Sequence, residues 1–239
     1  MAAPVTLVVG DVLVRDLEHL AVVSIRPTPD RGIAEVLLES RGYEVDIVAG
    51  VGPLHVGWID EQYQDEVGDP SLLLLRHDYL DLGLAGHVLA FIGPITSAIV
   101  PIHARIDAAE LWVRTDAVPP GGQALPVAWI AHRVLAPAVA GEATWNNAST
   151  HAQWAARGCG EVDVDYAATD LDSGSVVAEG WSSMLGGVDL GKILNADRTS
   201  AIAFIMRAID GGMARLYSDL TTNTTLRPYL RIRYTKARV

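Results

Sequence analysis

Four aspartates within ten residues, Asp163, Asp165, Asp170 and Asp172, are the side chains best placed to bind a metal ion. Hard cations such as calcium prefer clustered carboxylate oxygens of this kind. The stretch nevertheless lacks the central glycine and the closing glutamate of an EF-hand loop. Asp163 and Asp165 also alternate, as residues on one solvated face of a strand do. The sequence therefore predicts no metal site here.

Nucleophilic side chains are present as well, but none has the neighbours that catalysis requires. Ser149 and His151 would share one face of a strand, yet no acidic residue is placed to orient the histidine. Cys159 is the single cysteine, and with only Arg157 as a basic neighbour it is expected to be a small buried hydrophobe. We therefore predict no catalytic residues, no cofactor and no enzymatic activity.

The elements that carry these side chains are expected to be short strands. From about residue 57 onward, apolar stretches alternate with Gly, Pro and Asp breaks, and Asp210-Gly211-Gly212 between two apolar runs is typical of a hairpin. Hydrophobic residues make up 50% of the chain, which is enough to fill a large core. We predict a mostly β fold, a jelly-roll-like antiparallel β-sandwich over residues 57–239.

Residues 1–56 have a different pattern, with β-branched apolar runs, a proline-rich turn and a short stretch of helical spacing. We expect a small N-terminal extension or subdomain that serves assembly. The first apolar run has no basic residues before it and breaks at Gly10, so neither a signal peptide nor membrane insertion is expected.

Charge is distributed unevenly along the chain. The formal net charge is −11, which argues against a nucleic-acid partner because such partners need a basic surface. An acidic stretch contains Asp60, Glu61 and Asp65, whereas the last thirteen residues contain Arg231 and Arg233 and no acid. Two interpretations remain open: a solvated face with a solvated tail, or complementary contact surfaces between subunits.

The last predicted strand, residues 228–234, bears on the interpretation that the charged segments are contact surfaces between subunits. Residues 228–234 alternate, so that Arg231 and Arg233 lie on one face while Leu230 and Ile232 lie on the other. We expect the apolar face to close the sandwich. The arginine face should look outward, at or near a subunit contact with a neighbour's acidic stretch, because guanidinium groups suit bidentate carboxylate contacts.

The most distinctive local motif is Thr144-Trp145-Asn146-Asn147 followed by Trp154. The two tryptophans are large apolar side chains whose indole N–H groups need a partner when buried. Asn146 and Asn147 are suited to closing a turn through bonds to the local backbone. The motif fits a core plug, which we favour, where a long loop folds over the sandwich. It also fits an aromatic platform that stacks on sugar rings.

Taken in order, residues 144–147, Trp154, Gly158 and the closing stretch 227–235 resemble the DNRLRE-type β-sandwich domain, which is related to a family of carbohydrate-binding modules. The resemblance covers roughly residues 57–236 and leaves the preceding residues without a counterpart. It implies a jelly-roll-like fold. The family includes exported surface proteins, polysaccharide-associated modules and phage virion proteins.

Two functions follow from these observations. The first is a non-enzymatic structural protein of a bacteriophage virion, in the head exterior, neck or tail, with other virion proteins and further copies of itself as partners. The alternative is a carbohydrate-binding or adhesion module of a bacterial surface or secreted protein, located outside the cell or on its surface, with cell-surface glycans as partners. The absence of a signal peptide and the unmatched N-terminal residues favour the first.

Overall fold

The structure is a computed structural model. It describes residues 42–66, 72–77, 84–116, 125–177 and 180–236 in full, together with the backbone of four strands that precede residue 42. Strands dominate, and α1 (Val188–Ala196) is the longest helix of the described residues. The described strands are, in chain order, β1 (Val8–Val9), β2 (Val12–Leu13), β3 (Leu20–Pro27), β4 (Ala34–Ser40), β5 (Gly42–Val48), β6 (Leu54–Asp60), β7 (Leu72–His77), β8 (Ala85–Ile92), β9 (Ala104–Arg114), β10 (Val127–Arg133), β11 (Asn147–Ser149), β12 (Ala152–Gln153), β13 (Asp172–Val176), β14 (Trp181–Gly187), β15 (Ile202–Ala208), β16 (Met213–Tyr217) and β17 (Tyr229–Lys236).

Two antiparallel sheets form the body of the protein. The larger has seven strands in the order β13-β10-β15-β8-β7-β16, with β6 also paired to β8, and it curls into a half-barrel. The smaller has four strands in the order β14-β9-β17-β5. Buried apolar side chains from both sheets share one core. This is the mostly β, antiparallel sandwich that the sequence predicts.

Two-residue alternation explains why these segments form strands against that core. In β17, Leu230 and Ile232 are fully buried, whereas Arg231 and Arg233 lie on the opposite face. The predicted orientation of the closing strand is therefore confirmed. In β9, Leu111 is fully buried and comes from the strand next to β17. The four-stranded sheet thus turns one apolar face inward and one polar face outward.

The central strands of the larger sheet are buried on both faces. Val88 and Phe204 belong to the core between the two sheets. Leu89 and Ile205, their chain neighbours, belong to a second apolar cluster on the opposite face. Because side chains alternate across a strand, β8 and β15 each contribute to both clusters. The larger sheet therefore needs a cover on its outer face as well.

The sandwich begins earlier than the sequence predicts. Strand β5 pairs with β17, and Val48 of β5 lies opposite Tyr229 of β17. Strand β6 pairs with β8 along its whole length. The boundary placed at residue 56 falls inside β6, whose Leu54 and Val56 are buried in the core. The four strands that precede β5 pair only with one another in the described pairings. Gly42 is therefore the first residue of the sandwich sheets.

Two truncations test this boundary. A chain that starts at Gly42 keeps both sheets, so we expect a cooperative unfolding transition in urea, followed by circular dichroism. A chain that starts at Gly57 lacks β5 and the buried residues of β6, so we expect it to be insoluble or to unfold without cooperativity. Cooperative unfolding of the second chain, with the stability of the first, would contradict the placement of β5 and β6 in the sandwich.

Candidate functional site

Residues 134–171, called the covering segment below, lie over the outer face of the larger sheet. Trp145 and Trp154 of this segment are 8% and 5% exposed and pack in the second apolar cluster. The indole N–H of Trp154 donates to the carbonyl oxygen of Thr144 at 2.8 Å, which satisfies the buried donor. The core interpretation of these tryptophans is confirmed. Their rings offer no open platform for a sugar.

Gly158, the motif residue that follows the second tryptophan, packs directly against Trp145. Its N–H donates to the carbonyl oxygen of Trp145 at 2.7 Å, and its φ is +73°. A Cβ at this position would lie 2.5 Å from a carbon of the Trp145 ring. Both the backbone conformation and the contact with the ring require a residue without a side chain.

The two asparagines have separate tasks. The side-chain amide of Asn146 donates to Asp65 at 2.7 Å, and its backbone N–H donates to the carbonyl oxygen of Gln64. The backbone N–H of Asn147 donates to the hydroxyl of Thr144 at 3.1 Å, and the carbonyl oxygen of Asn147 accepts from the Thr144 N–H at 2.8 Å. Asn146 therefore holds the covering segment to the turn after β6, and Asn147 closes the local turn through its backbone. The predicted bonds from the asparagine side chains to the local backbone are wrong in this respect, because the Asn146 side chain reaches Asp65 and the turn bonds of Asn147 are made by its peptide groups.

Asp165 organises the covering segment. It is 1% exposed, and its carboxylate accepts backbone N–H groups of Ala155 at 2.8 Å, Ala156 at 3.0 Å and Glu161 at 3.0 Å. Asp163 and Asp165 lie in a turn and do not alternate on a strand, which corrects the predicted solvated face. Among the described residues, no three His, Cys, Asp or Glu side chains are grouped so that they could hold a metal ion.

The candidate nucleophiles are not assembled into a reactive pair in the described parts of the chain. Cys159 is fully buried, and its burial raises the pKa of the thiol, so the unreactive thiol form is favoured. Ser149 is buried at the end of β11 and accepts from the backbone N–H of His151 at 3.3 Å. That contact involves the peptide group and gives the serine no general base.

Two buried histidines lie beneath the covering segment. The ring of His87 is 5.4 Å from that of Trp145, and the ring of His132 is 4.7 Å from that of Tyr166. Burial, aided by the charge of Arg207, lowers the pKa of His87 to about 3. Burial also lowers the pKa of His132. Both rings are therefore expected to be neutral near pH 7.

The acidic residues proposed for a subunit contact have partners within the chain. Asp60 is 2% exposed and forms a bidentate pair with Arg76, at 2.5 Å from Nη2 and 2.9 Å from Nε. Glu61 accepts from the N–H of Ala85 at 3.3 Å, and Asp65 accepts from Asn146. Because it is buried with its counter-charge, Asp60 cannot serve as an exterior contact, which corrects that part of the prediction.

Arg231 and Arg233 lie on the outward face of the four-stranded sheet. Arg231 donates through Nε and Nη2 to the two carboxylate oxygens of Asp46, each at 2.9 Å. Arg233 donates to Glu44 at 3.2 Å and lies 3.7 Å from Glu110. Hydrogen bonding to Asp46 raises the pKa of Arg231 above its usual value. The nearest carboxylates of both arginines thus belong to the same sheet.

Beside these ion pairs runs a row of aromatic rings. The Trp112 and Tyr229 rings are 6.2 Å apart and nearly parallel, and the Trp181 ring meets Tyr229 edge-on at 5.0 Å. The Arg231 guanidinium lies over Tyr229 at 5.4 Å and that of Arg114 over Trp181 at 5.9 Å. Such cation–π contacts fix the planes of the rings. Trp181 remains 37% exposed.

The aromatic row and the ion pairs beside it are called the outer sheet face below, and they form the candidate functional site. The surface combines exposed aromatic area with planar polar groups on a sheet, a composition that suits contact with a partner. Sequence reasoning missed the row because its rings come from three separate strands. The available signal was that Trp112 and Tyr229 occupy outward positions of alternating strands.

No protein-family model matches the chain, and no curated protein matches it either. Within the described residues, no helix has the length and apolar character needed to cross a membrane.

Replacing Trp145 with alanine should reduce the free energy of unfolding by about 3–5 kcal/mol, because a buried ring is lost and a cavity remains. Trp181→Ala is the matched control, since that ring is partly exposed on the outer sheet face and should matter much less. Urea unfolding of both variants measures the difference. Equal losses for the two variants would show that the covering segment is not a packed part of the core.

Because burial lowers the pKa of His87, the protein is expected to lose stability in acid. Its pKa is about 3 in the folded chain and about 6.5 when unfolded. Since only the unfolded chain takes up the proton between these values, the free energy of unfolding should fall as pH drops through that window, by up to about 1.4 kcal/mol per pH unit. His87→Leu should flatten this slope, whereas His151→Gln, at an exposed site, should not. Urea unfolding from pH 4 to 7 measures the slopes.

Proposed function

We propose that this chain is a non-enzymatic structural protein of a bacteriophage virion, a component of the head exterior, neck or tail. The observation that carries the proposal is the outer sheet face, which presents Trp181 and Tyr229 beside arginines on a rigid sheet. Tyr, Trp and Arg are the side chains enriched at protein interfaces and at their energetic centres. A surface of this composition suits a lasting contact with another protein.

The antiparallel sandwich supports this proposal because the smaller sheet, which carries the outer sheet face, packs its inner face against the larger sheet in a shared core. A particle component needs a surface that does not rearrange, and strands fixed by neighbours on both edges provide one. In the smaller sheet, β9 and β17 each have neighbours on both edges. They carry Trp112, Tyr229 and both outward arginines of β17.

The sequence resemblance to the DNRLRE-type domain supports the same proposal, since phage virion proteins occur in that family. The motif residues that carry the resemblance, Trp145, Asn146, Asn147 and Trp154, have packing tasks in the covering segment. The resemblance therefore concerns how the sandwich is built. It leaves the outer sheet face to determine which partner is bound.

The proposed partners are other virion proteins and further copies of this chain. Arg231 and Arg233 are proposed to lie at or near such a subunit contact. Their side chains are 28% and 53% exposed, so a neighbouring carboxylate can still reach them beside Asp46 and Glu44. A net charge of −11 means that each further copy presents many carboxylates.

A carbohydrate-binding or adhesion module at a bacterial surface is the second candidate. It is favoured by one observation, the partly exposed Trp181 ring with Arg114 over it and Tyr229 at its edge. An exposed ring with planar polar neighbours suits an amphipathic sugar, which has an apolar face and hydroxyl groups around it. In that case the protein would act outside the cell or on its surface.

Two experiments separate the candidates. Immunogold electron microscopy with an antibody raised against the full chain should label phage particles from the producing strain at one defined part of the virion. A glycan array probed with the full chain, with Trp181→Ala as the control, tests the alternative. Unlabelled particles together with glycan binding that Trp181→Ala abolishes would overturn the virion proposal in favour of the surface module.

The contact role of the arginines predicts an effect of charge reversal. Arg231→Glu combined with Arg233→Glu should lower the assembly state of the chain at low salt, where screening is weakest, as measured by size exclusion with light scattering. The pair Arg157→Glu and Lys192→Glu makes the same charge change at two exposed sites elsewhere and should leave assembly unchanged. Circular dichroism verifies that each variant is folded. An unchanged assembly state of the first variant would show that its arginines are only solvated.

A further inference from the structure

A cavity of about 430 Å³ lies on the face of the larger sheet that is turned away from the smaller sheet. It is therefore separate from the outer sheet face, which belongs to the smaller sheet. Its walls come from β6, β8, the covering segment near Ala143 and the turn at Asp219 that follows β16. Pockets that bind small molecules have volumes of about 300–1,000 Å³ and mostly apolar walls with a few polar groups. Leu89 and Phe91, which belong to the second apolar cluster, are among the residues that line this cavity.

Gly57 leaves open space on the wall that β6 contributes to the cavity. A Cβ built on this residue meets no atom within 4 Å, although its cross-strand partner Leu89 and the nearby Phe91 are buried. A glycine in the middle of a strand often marks a place where a ligand or another backbone can approach closely, and the half-buried Gly57 is such a position. The cavity thus has an apolar floor that no side chain of β6 covers at this point.

The ionisable groups among the lining residues are Asp219 and His55, which lie next to each other. There, Asp219 Oδ2 lies 3.3 Å from His55 Nδ1, and the two side chains are 14% and 51% exposed. None of the described residues that line the cavity is Lys or Arg. The Asp219 carboxylate would repel an anion in the cavity and attract a cation.

We propose that this cavity binds a small organic cation, with an apolar body over Gly57 and an ammonium group that donates to the Asp219 carboxylate. Charge-assisted hydrogen bonds of this kind are about twice as strong as neutral ones. The apolar body would contact Leu89 and Phe91 and displace water from their surface. The site is independent of the outer sheet face and of any partner bound there.

The probe that tests the proposal is phenethylamine, which combines an aromatic ring with an ammonium group. Titrated into the ¹⁵N-labelled full chain, it should give saturable amide shifts in β6 and β8. Gly57→Val should weaken binding, because a Cβ at this position enters open space and the added side chain would occupy part of the room that the apolar body of the ligand needs, while a β-branched residue suits a strand. Gly42→Val, where a Cβ also meets no atom within 4 Å, is the matched control and should bind as the parent chain does.

The charge requirement is tested separately with phenylacetate, which has the same ring and an anionic end. It should bind at least about tenfold more weakly than phenethylamine, and Asp219→Asn should weaken phenethylamine by about tenfold, which corresponds to one charge-assisted contact. Failure of phenethylamine to give saturable shifts would overturn the proposal. An affinity for phenethylamine that Gly57→Val leaves unchanged, or equal affinities for the amine and the acid, would overturn it as well.

Discussion

The cover on the outer face of the larger sheet depends on the hydrogen bonds that the buried carboxylate of Asp165 accepts. The central strands of the larger sheet are apolar on both faces, so the face turned away from the smaller sheet needs a cover of its own. The covering segment provides it with little regular structure, and N–H groups buried there would be costly without acceptors. Asp165 accepts three of them with the added strength of a charged acceptor. Trp145 and Trp154 are held against the sheet because the loops around them are fixed in this way.

A second buried carboxylate acts where three strands meet. Gly86 of β8 pairs with Asp60 of β6 and with Arg76 of β7, and the ion pair between those two side chains passes over it. A Cβ on Gly86 would lie 2.6 Å from the Asp60 carboxylate, so the glycine leaves the room that the pair needs. Removing one partner of such a pair leaves an uncompensated buried charge, which costs about 3–5 kcal/mol. Both carboxylates therefore fix the position of backbone that hydrophobic contacts alone would leave undetermined.

Residue type and local period predict only part of this arrangement. Alternation placed Leu230 and Ile232 in the core and Arg231 outside it, because a two-residue period needs no knowledge of partners. The same sequence does not distinguish Asp165 from its neighbouring aspartates, or Asp60 from the acids that follow it. What separates them is the number of donors that the fold brings to each carboxylate. The start of the sandwich at β5 was missed for a related reason, since its partner strand lies at the other end of the chain: Asp46 bonds to a residue 185 positions away.

The outer sheet face differs from an ordinary charged surface because it carries its own counter-charges. With Arg231 already bonded to Asp46, an approaching partner meets little unbalanced charge, so ionic contacts there would contribute more to specificity than to affinity. Most of the binding energy must then come from burying Trp181 and Tyr229. The two proposed occupants would do this over different areas. A sugar ring covers one aromatic face, whereas a protein interface of about 800 Å² per partner extends from the aromatic row across the ion pairs. Charge reversal at Arg231 and Arg233 should therefore disturb a protein contact and leave a sugar contact largely intact.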